Sequence, residues 1–235
     1  FFNSSKMKLI ISITIAILFS FNIIAREIGE TEITTEDGIE VFQNEKFYLL
    51  KQNVKIVSDN FTLSADEVKI NFDKSLYDIT ELDANGNVDF NSNEFEISGN
   101  GNFLNFKVKI EKIKVEGEGS QLLTSDVKMF SDGFIEVSNL NGDFLLKGTN
   151  SKLVNENIII KAETINGKFS EKATEKEITY LEVIDKNISY IKNNDTEMYA
   201  KKINFDNDTS IIELIDDVTI IRNEEKITGD YGTLD

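Results

Sequence analysis

Histidine, cysteine, tryptophan and proline are all missing from the 235-residue chain. Without His and Cys the preferred ligands of zinc and blue-copper sites are gone. Ser-His and Cys-His nucleophilic catalysis is excluded for the same reason. No disulfide can form, so cysteine usage is silent about redox compartment. Bases are scarce as well: 25 Lys and Arg face 42 Asp and Glu, a formal net charge of −17. A phosphate backbone needs Lys and Arg, so this balance argues against a nucleic-acid partner. It favours a soluble surface, and it means that an anionic ligand must be held mainly by something other than charge.

One long apolar run is present, at the N-terminus. From Met7, the expected start, it covers Leu9 to Ala25 and is broken only by Ser12, Thr14, Ser20 and Asn22. Lys6 and Lys8 precede it, and Arg26, Glu27 and Glu30 follow at once. A basic head, an apolar stretch and a small residue at Ala25 predict a secretory signal peptide over residues 1–25. An uncleaved anchor helix is the competing reading, since about 17 apolar residues is the short limit for spanning a bilayer. Cleavage after Ala25 leaves 23 bases against 42 acids, a net −19.

Beyond residue 26 no helical period is sustained. Short stretches with period two dominate: Val54-Lys55-Ile56, Val68 to Phe72, Phe134 to Val137, Ile178-Thr179-Tyr180. They are rich in the β-branched and aromatic residues that fit a pleated surface. Asp37-Gly38, Asn85-Gly86-Asn87, Asp132-Gly133, Asn141-Gly142-Asp143 and Asn166-Gly167 read as turns between them. Many short strands at regular spacing predict a sandwich, barrel or solenoid.

Internal repeats narrow that choice. Asn53-Val54-Lys55-Ile56 matches Asn87-Val88-Asp89-Phe90, and the same offset sets Leu63-Ser64-Ala65 on Ile97-Ser98-Gly99 and Asn71-Phe72 on Asn105-Phe106 without a gap. Asn187-Ile188-Ser189-Tyr190 leads to Met198-Tyr199-Ala200 and Ile203 to Asp206; Asp217-Val218-Thr219-Ile220 leads to Ile227 to Asp230. Weaker copies fall at Asp126 to Met129 and Ile160 to Glu163. Each unit opens a strand on a polar residue and an aliphatic, turns, and runs an aliphatic into a small residue before an acid. One unit cannot bury its apolar face alone, whereas stacked units share an interior. With no Pro or Ser linker, residues 26–235 read as one elongated domain, and because the sequence ends just after a unit's small-acid step its last strand reads as cut short.

Ala84 to Val88, the small-acid steps Ala65-Asp66 and Gly229-Asp230, and Ile33 to Glu40 resemble the OstA-like repeat of the LptA/OstA lipopolysaccharide-transport family. The resemblance covers residues 30–110 and 180–235 well and is loose between 111 and 180. It implies an all-β, elongated twisted jellyroll or semi-solenoid with an apolar groove, in which lipid A acyl chains travel while the sugars stay in water. It further implies a periplasmic, non-catalytic protein without cofactors. The partners so implied are lipopolysaccharide, the anchored (LptC-like) and outer-membrane (LptD-like) components of the pathway, and further copies joined head to tail.

Alternation itself predicts an inner face made by Val54, Ile56, Leu63, Val68, Ile70, Phe72, Val88, Phe90, Phe95 and Ile97, with Lys55, Lys69, Asn71, Asp89 and Glu96 outside. Under the resemblance these ten are the lipid-binding residues; the plain reading of any one of them is ordinary core. An anchored LptC-like partner and a surface β-solenoid that binds no lipid are the alternatives. Asp206-Asn207-Asp208 has an EF-hand fragment's look but reads as a β-turn. Glu116 to Gly119 lacks the Lys and helix of a phosphate loop. No carboxylate pair stands in a recognisable hydrolase pattern, and the N-glycosylation sequons at Asn60, Asn187 and Asn207 mean little if the source is bacterial. An enzyme is not expected.

Overall fold

A computed structural model describes residues 31–170 and 177–234. The apolar N-terminal run and its expected cleavage site lie outside the described residues. β1 (Glu32–Thr34) and β2 (Ile39–Phe42) both pair with β3 (Phe47–Val57). β4 (Phe61–Phe72), β5 (Ile79–Ser92) and β6 (Ile97–Lys107) follow as antiparallel neighbours. Then come the short β7 (Lys112–Glu116), β8 (Ser120–Leu123), β9 (Lys128–Ser131) and β10 (Phe134–Ser138). Finally β11 (Asp143–Val154), β12 (Ile158–Phe169), β13 (Ile178–Asn193), β14 (Thr196–Asp206), β15 (Ile211–Arg222) and β16 (Glu225–Leu234) extend the same continuous sheet. The chain is an all-β antiparallel jellyroll. Among the described residues the only helical element is the 3-10 turn Val108–Ile110, and no helix is long and apolar enough to cross a membrane.

Each long strand is broken at its middle, and the breaks line up across the sheet. On β3 the pairing with β4 jumps between Lys51 and Val54, leaving Gln52 and Asn53 opposite Asp66. On β5 Gly86 and Asn87 occupy the equivalent place, and on β15 Asp216 and Asp217 do. All six have positive φ, from 47° to 74°, a region that favours Gly, Asn and Asp. Extra residues in one strand bend it and increase its twist, so this row of bulges folds the sheet along a ridge. On β4 the inward set accordingly changes parity at the ridge, from Leu63 and Ala65 to Val68, Ile70 and Phe72.

Small residues, three of them from the small-acid steps, are the partners of these corners. Ala65, Gly101, Ala162, Ala200 and Gly229 sit opposite Val54, Val88, Ser151, Ser189 and Val218 on the inside of the bend. At three of them, Ala65, Ala162 and Ala200, the next residue ties the corner from outside. Asp66 accepts from Asn87 Nδ2 at 2.9 Å, and a β-carbon on Gly86 would collide with that carboxylate. Lys201 pairs with Asp217 at 2.8 Å. Glu163 pairs with Lys186 at 2.6 Å, while Asp185 accepts from three backbone amides of the same corner. Buried serines complete the inside: Ser151 donates to Gly148 O and Ser189 to Lys201 O, at 3.1 and 3.2 Å, so the hydroxyls are not left unsatisfied.

The middle of the sheet explains the loose repeat there. β7 and β8 both pair with β6 and act as one strand interrupted at Gly117 to Gly119; β9 and β10 both pair with β11, interrupted at Asp132-Gly133. Glu116 to Gly119 is therefore a corner, with Gly117 N donating to Gly133 O at 2.8 Å.

Three readings of the sequence need correcting. The gapless repeat fails by two residues in its second strand: Val54 faces Ala65, but Val88 faces Gly101, not Gly99. A slip of two preserves the inward face, so Ile97 still points in. At Asn187 the slip is one, and there it matters: Ser189, not Ile188, faces the small residue Ala200, and Ile188 is exposed. Phe95 lies in the turn 93–96 and not on a strand.

Candidate functional site

Folding along the ridge turns the two halves of each strand toward one another and leaves two rows of hairpin turns as the lips of a seam. One lip consists of residues 58–60, 93–96, 124–127, 155–157, 194–195 and 223–224; the other of 43–46, 73–78, 108–111, 139–142 and 207–210. The last inward residue before many of these turns is an aliphatic or Phe that stays half-buried: Ile97, Phe106, Ile113, Val137, Ile158, Ile178, Phe205 and Ile212. These side chains wall the seam.

Along β3 to β5 the seam is shut. Val54, Leu63, Val68, Ile70, Val88 and Phe90 are each 2 % exposed or less, and Ile56 and Phe72 are also buried. Eight of the ten predicted site residues therefore lie in closed core. Phe95 and Ile97 are different: with Phe106, Ile113, Leu122 and Phe169 they line a narrow opening of about 50 Å³. Phe95 meets Phe106 edge-on, ring centres 6.2 Å apart.

Between β9 and β15 the lips part. An opening of about 800 Å³ is walled by Ile158, Ile178, Leu181, Ile191, Met198, Phe205 and Ile212, within the range of roughly 300–1,000 Å³ typical of ligand clefts. Its rim is polar: Asn155, Asn157 and Asn193 on one lip, Asn207 and Glu177 on the other. Sequence reasoning passed over these wall residues. The same alternation marks them, in strands 158–169, 178–193, 196–206 and 211–222, but period alone does not separate closed core from open wall.

Shifted titrations lie elsewhere. The Lys186 ammonium holds the Glu163 carboxyl below its usual range, and Asp217 raises Lys201. Burial, then Glu197, raises Tyr190. These groups belong to the outer ridge and the outer face, and their roles are structural. Among the described residues no three His, Cys, Asp or Glu converge to hold a metal. The wide part of the seam thus sets apolar walls beside a polar rim.

Comparison with known proteins gives this geometry its setting. The family model described as "LptA/(LptD N-terminal domain) LPS transport protein" matches residues 34–130 and 134–235, meeting at the corner between β9 and β10, through which the sheet runs unbroken. A search of curated proteins finds no match. Among solved structures the chain is similar to LptH, the LptA homologous periplasmic component of the lipopolysaccharide transport device from Pseudomonas aeruginosa. The identity is 11 %, over 59 % of this chain and 76 % of that one, with a TM-score of 0.27, too loose a superposition to carry an argument. The family match spans most of the sheet: the chain belongs to the LptA/(LptD N-terminal domain) family of lipopolysaccharide transport proteins.

Proposed function

We propose that the protein is a periplasmic carrier that binds lipopolysaccharide by its acyl chains, without catalysis, and bridges the inner and outer membranes. The observation that carries this reading is the wide part of the seam, apolar on both walls and polar at the rim. An acyl chain crossing water needs such a shell, each buried CH₂ being worth about 0.8 kcal/mol. Sugars would remain outside, against the Asn-rich lips. Lipid mass spectrometry on gently purified protein tests the reading: lipid A species should co-purify, and a folded, lipid-free protein that takes up none from micelles would contradict it.

The ends of the sheet support assembly into a bridge. Ile39 and Val41 face inward beside Leu50 and Tyr48 on the first edge, yet are 51 % and 47 % exposed; Ile227, beside Ile220 on the last edge, is 64 % exposed. Among the described residues each end thus leaves inward-facing apolar side chains uncovered and a strand edge unpaired, which is the template for strand addition. Stacking end to end, with further copies or with the anchored and outer-membrane members of the pathway, would continue the interior across the joint. In this reading residues 1–25 are removed on export.

A further inference from the structure

The two lips differ in a way that the groove does not require. The six turns of the first carry seven acids, Asp59, Glu94, Glu96, Asp126, Glu156, Asp195 and Glu224, and no Lys or Arg. None of them carries a large exposed apolar residue among those described. The second lip is the reverse at its centre. Three consecutive turns there expose Leu76 and Tyr77, Val108 and Ile110, and Leu140; Tyr77 is 94 % exposed. They are neighbours in the row, joining β4 to β5, β6 to β7 and β10 to β11. The last two are tied together, Asn139 donating from its backbone and its side chain to Glu111 at 2.9 and 2.8 Å.

Lysines, absent from the turns of the first lip, stand in two of these three: Lys74 and Lys109, beside Asp73, Asp78 and Glu111, while Lys107 and Lys112 on the flanking strands pair with Glu81 and Glu136. Lys74 and Lys109 stay outside the ion pairs that tie Lys46 to Asp73 at 3.2 Å and Lys112 to Glu136 at 2.7 Å.

From this juxtaposition we infer that the strip docks the protein on an anionic lipid bilayer surface. The apolar side chains stand exposed on turns and not in a cleft, so they offer no pocket for the buried anchors that dominate protein interfaces. Protruding Leu, Ile and Tyr with lysines between them suit the headgroup boundary of a bilayer, where apolar tips enter and cations meet anionic lipid. The acidic lip is repelled by the same surface, which sets the orientation. Glu111 and Asn139 also line the narrow opening of the seam, so docking lays that opening against the leaflet. This deepens the proposed function, and its consequence for loading of acyl chains from the membrane side rests on that reading.

The test uses the chain from Arg26 onward, which carries every described strand, in co-sedimentation with vesicles of phosphatidylcholine alone or mixed with phosphatidylglycerol. Mixed vesicles should bind it, less so at high salt. The pair Lys74→Glu and Lys109→Glu should weaken binding by roughly tenfold or more, and Leu76→Ser with Tyr77→Ser should weaken it comparably. Glu94→Gln with Glu156→Gln on the other lip should not. Strand circular dichroism should be unchanged throughout, because every substituted side chain is in a turn. No binding to mixed vesicles, unchanged binding by both strip pairs, or a strip pair that abolishes self-association instead would overturn the inference. Lipopolysaccharide crosslinking at Phe205, measured in parallel, separates the two readings. Its loss with vesicle binding retained removes the transport reading and leaves the docking site standing.

Discussion

Asn87 donates its side-chain amide to the Asp66 carboxylate at 2.9 Å, joining the left-handed corner of β5 to the small-acid step of β4. Gly86, with φ of +74°, stands against the same carboxylate. Gly86→Ala should therefore cost about 1–3 kcal/mol through backbone strain, with the steric clash added. Asp66→Ala should cost about 1 kcal/mol. Urea unfolding of the two variants measures both, and an equal, negligible effect would mean that the corner does not hold the sheet.

Corner length makes a second prediction. Two residues form the corner on β3, three (Gly148 to Asn150) on β11, and four (Asp185 to Ile188) on β13. Deleting Ile188, exposed at the end of the longest, should leave a three-residue corner and cost little. Deleting Asn87 leaves a single residue, which cannot make the bend, and either straightens β5 or turns Val88 and Phe90 outward. Thermal unfolding should separate the two deletions widely; a milder loss for the Asn87 deletion would contradict the role given to the ridge.

Much of this is legible in the residues, though not always for the reason that composition suggests. Alternation identified inward faces because a pleated strand sorts side chains by parity, and Val54, Ile56, Phe90 and Ile70 are buried. Asn85-Gly86-Asn87 reads as a chain reversal, yet it bends a strand that runs from Ile79 to Ser92. Left-handed backbone is demanded equally by a turn and by a corner, so composition cannot distinguish them. Asn166-Gly167 is neither: Gly167 is small because the Phe144 ring and Tyr180 O occupy the space of its side chain. The open wall was missed for a related reason. Phe205 and Phe90 obey the same alternation, and only the separation of the lips makes one a wall and the other closed core.

Core and wall should respond differently to substitution. Ile70→Ala should lose about 2–5 kcal/mol, and Ile70→Asp should prevent folding, because an unpaired charge enters an apolar interior. Phe205→Ser and Ile178→Ser, at half-buried positions, should leave a folded sheet that retains less lipid. Circular dichroism beside lipid recovery checks this; equal unfolding by both classes would contradict the division.

Assembly through the ends predicts that Ile227→Lys lowers self-association with little change in stability, because the side chain is uncovered in the single protomer. Both edges carry acids, Glu36, Asp37 and Glu40 at one and Glu224, Glu225 and Asp230 at the other, so association should strengthen with salt. Sedimentation velocity across salt concentrations measures this, and a strict monomer at high protein concentration would count against it.

The most direct test of the central claim is photo-crosslinking to purified lipopolysaccharide from single positions around the seam. A crosslinker at Ile178, Phe205 or Ile212 should capture the lipid strongly, and one at Lys55 or Asp89, exposed on the outer face of β3 and β5, should not. Equal labelling of the two sets, or labelling of the outer set alone, would show that the seam is not where the lipid is held.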